Sequence, residues 1–149
     1  MNDTKTRIND DWCFAELDTD ADDIDTIFGA IGSVDHVSVP HIWSESHTGR
    51  AVYFRSIYID PSQMDKDVVV EFDGVNREAF IYVNSLNAGG HTGGSEAFTL
   101  DITKYIHTGE NELTVLVDNL DDIKNKKGSH GEELGICSDV WLIMTQHKQ

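Results

Sequence analysis

Residues 68–76 read Val68-Val69-Val70-Glu71-Phe72-Asp73-Gly74-Val75-Asn76. Val68, Val70 and Phe72 fall on one side of a two-residue period, and Val69, Glu71 and Asp73 fall on the other. That alternation is the pattern of a half-buried β-strand, and Asp-Gly after it is a turn signal. The same period recurs outward in both directions. Leu113, Val115 and Val117 alternate with Glu112, Thr114 and Leu116, Phe98, Leu100 and Ile102 with Thr99 and Asp101, and Val140, Leu142 and Met144 with Trp141 and Ile143. Further strands are predicted at 11–16, 35–39, 51–59 and 79–84. In the last of these Ala79-Phe80-Ile81-Tyr82-Val83 is apolar on both faces, so it should be covered on both sides. About eight short strands separated by Gly, Asn and Asp predict an all-β, antiparallel sandwich.

Helical signals are few. In 21–31, Ile24, Ile27, Phe28 and Ile31 have the spacing of an apolar stripe, with Asp20 or Asp22 as the cap and Gly29 and Gly32 as the stop. One or two turns are expected there, and a single turn over 101–106. Segment 120–134 carries charge and glycine but no aromatic residue, and reads as a long surface loop. The 149 residues form one domain, 1–149, large enough to hold its own core.

Lys and Arg number 11 against 27 Asp and Glu, a net charge of −16. Such a surface repels phosphate backbones and anionic lipid, so no nucleic acid and no membrane is expected as partner. The polar start Met1-Asn2-Asp3-Thr4-Lys5 has no apolar leader core, which predicts a cytoplasmic chain or one already trimmed. Cys13 and Cys137 read as two small buried hydrophobes, although one near each end of the chain leaves a bridge open.

Candidate chemistry is sparse. Asp18, Asp20 and Asp22 imitate the start of an EF-hand loop. Asp23 stands where the turn needs Gly, and Gly29 where the bidentate Glu should be, so a solvated acidic turn is expected. The seven histidines lack paired metal-ligand spacing and read as surface or edge residues, His36 and His41 among them. No metal site and no cofactor is predicted. Gly89-Gly90-His91-Thr92-Gly93-Gly94 is not followed by a helix, so it lacks the N-terminus that would hold phosphate. It reads either as a flexible connection or as a loop beside a ligand. Trp12, Trp43 and Trp141 are the largest rings on which a pyranose face could stack, with core positions the commoner use.

The order of motifs is informative. Asn9-Asp10-Asp11-Trp12 is followed by Val37-Ser38-Val39-Pro40-His41-Ile42-Trp43, Gly49-Arg50-Ala51-Val52-Tyr53-Phe54-Arg55, Asp73-Gly74-Val75-Asn76 and Ile81-Tyr82-Val83-Asn84. Then come His91-Thr92-Gly93-Gly94, Phe98-Thr99-Leu100-Asp101-Ile102-Thr103, Gly109-Glu110-Asn111-Glu112-Leu113 and Ser138-Asp139-Val140-Trp141. Across about 8–144 this resembles the N-terminal sugar-binding domain of glycoside hydrolase family 2, the β-galactosidase, β-glucuronidase and β-mannosidase family. The resemblance implies a galactose-binding-like jelly roll. It departs at Asn84-Ser85, where the family usually has Asn-Gly, and at Ser138-Asp139-Val140, where it usually has Arg-Asp-Val.

In that family the catalytic carboxylates lie on a separate (β/α)8 barrel, and a barrel needs about 250 residues. The chain is therefore expected to be no enzyme on its own. It should be a non-catalytic carbohydrate-binding part of a hydrolase, with carbohydrate and the other domains of a glycoside hydrolase as partners. A free-standing carbohydrate-binding module and a protein-interaction sandwich are the alternatives. The resemblance implies sugar-binding roles for Asn76 and Asp139, with His91 and Glu96 as weaker candidates. A carboxylate at 139 could also help hold a Na or Ca ion.

Overall fold

The computed structural model describes residues 3–17, 23–41, 50–76, 78–92, 96–118, 135–136 and 138–146. Twelve strands occur among them. They are β1 (Thr4–Arg7), β2 (Trp12–Leu17), β3 (Asp35–Val37), β4 (Arg50–Ile59), β5 (Lys66–Phe72), β6 (Val75–Asn76), β7 (Glu78–Val83), β8 (Leu86–His91), β9 (Phe98–Asp101), β10 (Gly109–Asp118), β11 (Gly135–Ile136) and β12 (Val140–Gln146). One short helix, α1 (Ile24–Gly29), and 3₁₀ turns at Pro61–Gln63 and Thr103–Tyr105 complete the described elements. All eight strands read from the sequence are present, together with four more.

The strands form a jelly-roll β-sandwich. One sheet has the order β1-β12-β5-β9, the other β3-β2-β4-β10-β7-β8, and β6 pairs with β11 in a small third sheet. Every pairing is antiparallel, so short turns and arches suffice to connect them. The alternation that predicts the strands also builds the core. Val68, Val70 and Phe72 of β5 and Val140, Leu142 and Met144 of β12 meet Tyr53, Ile57 and Ile59 of β4 and Leu113, Val115 and Val117 of β10.

The six-stranded sheet is buried on its outer side as well, as the apolar run in β7 predicts. Ile24 and Ile27 of α1 pack with Ala15, Leu17, Val52, Leu116 and Tyr82, and Phe28 meets the Phe54 ring edge-on at 5.6 Å. The cap of α1 is Asp23, whose carboxylate accepts from the Thr26 backbone N–H at 2.9 Å and from its hydroxyl at 2.8 Å. These bonds hold the Asp23 pKa below its ordinary value. The Asp18, Asp20 and Asp22 positions, segment 120–134, Trp43 and Cys137 lie outside the described residues. Cys13 is a free, half-buried thiol, 3.7 Å from His36 Nδ1. No described helix is long and apolar enough to cross a membrane.

Of the four further strands, β1 and β8 escape the sequence pattern for identifiable reasons. β1 is Thr-Lys-Thr-Arg and exposed throughout, so it has no apolar alternation. β8 contains Gly89 and Gly90 and reads as loop, yet the structure uses both glycines inside the strand. A Cβ at residue 90 would sit 2.4 Å from the Ala79 carbonyl oxygen, so only glycine lets β8 lie this close to β7. Gly89 adopts φ +139° beside the bulge at Ile81/Tyr82.

Candidate functional site

Five chain segments are tied together where β5, β6, β11 and β12 meet. Leaving β5, the Asp73 N–H donates to the Asp139 carbonyl at 2.9 Å. Two residues on, Val75 and Asn76 pair with Ile136 and Gly135. The His41 N–H donates to the Ile136 carbonyl at 2.8 Å, and the Val39 N–H to the Asn9 carbonyl at 2.8 Å. Asn9 closes the set. Its Nδ2 donates to Asp139 Oδ1 at 2.9 Å, while its Oδ1 accepts from the Val140 N–H at 3.0 Å. The Asp139 carboxylate is thus fixed by a side chain 130 residues away in sequence.

Beneath this rim stands Tyr53, fully buried. Its hydroxyl lies 2.7 Å from His41 Nδ1 and donates to the His41 carbonyl at 3.4 Å. The His41 ring packs on Phe14, with centroids 4.6 Å apart. Burial pushes the His41 pKa below the usual histidine value, against an opposing pull from the Asp35 carboxylate. His41 is a half-buried residue at the end of the strand edge, held by Tyr53 and Phe14.

His91 lies one strand pairing away. It sits opposite Ala79 at the end of β8. Its ring stacks on Phe98 at 4.6 Å, and Phe98 stacks on Phe72 at 5.1 Å, next to Asp73. The Nε2 of His91 is buried and finds no hydrogen-bond partner among the described residues. Glu96 is exposed on the approach to β9.

The backbone around Asn76 and Asp139 is thus tied together directly, His91 is linked to that turn through the Phe98–Phe72 stack, and Glu96 lies exposed before β9. The Asn76 side chain lies outside the described atoms. Sequence reasoning missed Asn9, Tyr53 and Gly135 as parts of the rim. Asn9 directly precedes the Asp-Asp-Trp run, but no periodicity marks it, because its partners are 130 residues distant. Among the described residues no group of three His, Cys, Asp or Glu side chains is placed to hold a metal ion.

The family profile described as "Glycosyl hydrolases family 2, sugar binding domain" matches residues 37–146. The chain belongs to that family. A putative β-glucuronidase of Formosa agariphila is 32% identical over 97% of this chain and 19% of its own length. A β-glucuronidase of Bacteroides fragilis is 32% identical over 76% of the chain and 18% of its own length. Among solved structures, a putative β-galactosidase from Bacteroides fragilis superimposes on 98% of this chain with a TM-score of 0.81 at 29% identity. The match uses 24% of that protein. A Bacteroides uniformis β-glucuronidase gives a TM-score of 0.75 at 27% identity, with 96% of this chain covered and 18% of the other. The family 2 sandwich thus spans about a fifth of the length of the relatives it matches, corresponding to one domain of larger glycoside hydrolases.

Proposed function

We propose that this sandwich completes the sugar pocket of a family 2 glycoside hydrolase without itself cleaving a bond. The rim around Asp139 contributes the polar contacts. Asp139 accepts hydrogen bonds from sugar hydroxyls or helps hold a Na or Ca ion, Asn76 offers both a donor and an acceptor, and His91 Nε2 bonds a further sugar hydroxyl. Glu96 is the most peripheral member. The observation that carries this reading is the bracing of Asp139 by Asn9, which costs a long-range tie and yields a preset carboxylate at the junction of five segments. Cleavage with retention needs two carboxyl groups about 5–5.5 Å apart around the bond, and the family places that pair on its barrel.

Two measurements test the proposal. The 149-residue chain should not turn over chromogenic β-glucuronides or β-galactosides. Turnover that survives purification and disappears on replacing carboxylates of this chain would refute the non-catalytic role. In a chimera that puts this sandwich in place of the matching segment of the Bacteroides fragilis β-glucuronidase, Asp139→Ala should lower kcat/KM by about tenfold or more, the scale of a lost charged hydrogen bond. Unchanged kinetics in a folded chimera would exclude the pocket role.

A further inference from the structure

A second polar recess lies on the outer face of the six-stranded sheet, lined by residues that take no part in the rim. It has a volume of about 270 Å³ and is lined by Arg50, Phe80, Tyr82, Asn87, Leu116 and Asp118. The strand registers explain why these residues meet. Asp118 is opposite both Arg50 and Glu78, Leu116 is opposite Phe80, and Tyr82 is opposite Asn87.

Phe80 and Tyr82 are two residues apart on β7 and so share a face, with their rings spaced along the strand by about 7 Å. Arg50 Nε donates to Asp118 Oδ2 at 3.2 Å, and the Arg50 side chain is almost wholly buried. Asn87 is exposed, and its Oδ1 accepts from the Gly89 N–H at 2.9 Å, which orients the amide. Tyr82 is 9% exposed and lines the recess.

We infer that this recess is a second saccharide site, which takes one neutral pyranose unit. Its volume suits a single sugar ring, and its lining combines apolar ring surface with a few convergent polar groups, as small-ligand sites do. The C–H face of a pyranose packs on Phe80. Its hydroxyls meet the Tyr82 hydroxyl and the Asn87 amide. Arg50 and Asp118 neutralise each other, so the pair draws no anion into the recess. The surrounding charge of −16 further opposes a uronate. The site does not depend on the rim reading and would survive its failure.

The test is a titration of the 149-residue chain with methyl β-galactoside, methyl β-glucoside, methyl α-mannoside and glucuronate, followed by backbone amide chemical shifts. At least one neutral glycoside should bind with a Kd of about 1–20 mM and shift the amides of Tyr82, Asn87 and Leu116. Tyr82→Phe, which removes only the hydroxyl, should weaken that binding about threefold to tenfold. Asn87→Ala should act in the same direction from an exposed position. No shift from any neutral glycoside at about 50 mM, shifts confined to Asp73–Asn76 and Asp139, or full affinity in folded Tyr82→Phe would each overturn the site. Glucuronate binding at least as well as the neutral sugars would overturn its assignment to neutral rings.

Discussion

Replacing Gly135 with alanine should destabilise the sandwich by about 2–5 kcal/mol. Gly135 has φ +115°, a conformation that costs an L-residue about 1–2 kcal/mol. The added Cβ would lie 2.4 Å from the Tyr53 hydroxyl oxygen and 2.8 Å from the His41 carbonyl oxygen. Tyr53 is fully buried and cannot swing aside, so overpacking adds about 1–3 kcal/mol. Against a typical total of about 5–15 kcal/mol this is a large fraction. The assay is urea unfolding followed by tryptophan fluorescence, with amide hydrogen exchange reporting whether β11 still pairs with β6. The control is Tyr53→Phe, which removes the atom nearest the new methyl group and alone should cost about 1–2 kcal/mol through the lost bond to His41. If the clash is real, the double variant should be more stable than the sum of the two singles predicts, by about 1–2 kcal/mol. Strict additivity, or a Gly135→Ala protein within about 0.5 kcal/mol of the parent, would refute the reasoning.

Four other outcomes are expected. Asn111 is buried and holds its turn with bonds to the His107 and Gly109 carbonyls and from the His107 N–H and Asn84 Nδ2, so Asn111→Ala should cost about 2–4 kcal/mol in the same unfolding assay. Asn9→Ala removes two bonds and should cost about 1–3 kcal/mol while releasing Asp139, seen as faster exchange of the Val140 amide. Ser85 sits at φ +69° next to Asn84 at φ +52°, so Ser85→Gly should leave stability unchanged or raise it by up to about 1 kcal/mol, whereas a loss would show that Ser85 does more than close the hairpin. His41 has a folded-state pKa below its unfolded value of about 6.5, so the unfolded chain takes up its proton first as the pH falls. Its contribution is therefore complete above about pH 6.5 and is lost as the pH drops through the depressed folded value, and His41→Gln should flatten that part of a Tm–pH profile.

The sequence is most legible where one face of a strand is buried. β5, β10 and β12 follow from alternation alone, because each alternate residue pays for a core position. The helix is legible too, since Ile24 and Ile27 repeat at helical spacing over a second apolar surface. What alternation cannot show is pairing that depends on the absence of a side chain. Gly90 and Gly135 are structural because of what a Cβ would strike, and those atoms belong to residues distant in sequence. The hairpin at Asn84-Ser85 is a related case. Glycine is absent, but Asn84 tolerates a positive φ and is tied by its side chain to the Tyr105 carbonyl and the Glu112 N–H. The rim is legible only as an order of motifs, because Asp139 and Asn9 meet through the fold rather than through any local pattern.

The margins of the two sheets differ in how they meet solvent. β8 and β9 are the outermost strands of their sheets, and the rings laid across them seal the gap at that side of the sandwich. The opposite margins are β1, with Lys5 and Arg7 among its four exposed residues, and β3, with Asp35 and His36 exposed. An incoming strand would have to desolvate those charges to add to either margin. At the β1 and β3 margins a sheet-rich protein is thereby discouraged from adding strands through its own backbone.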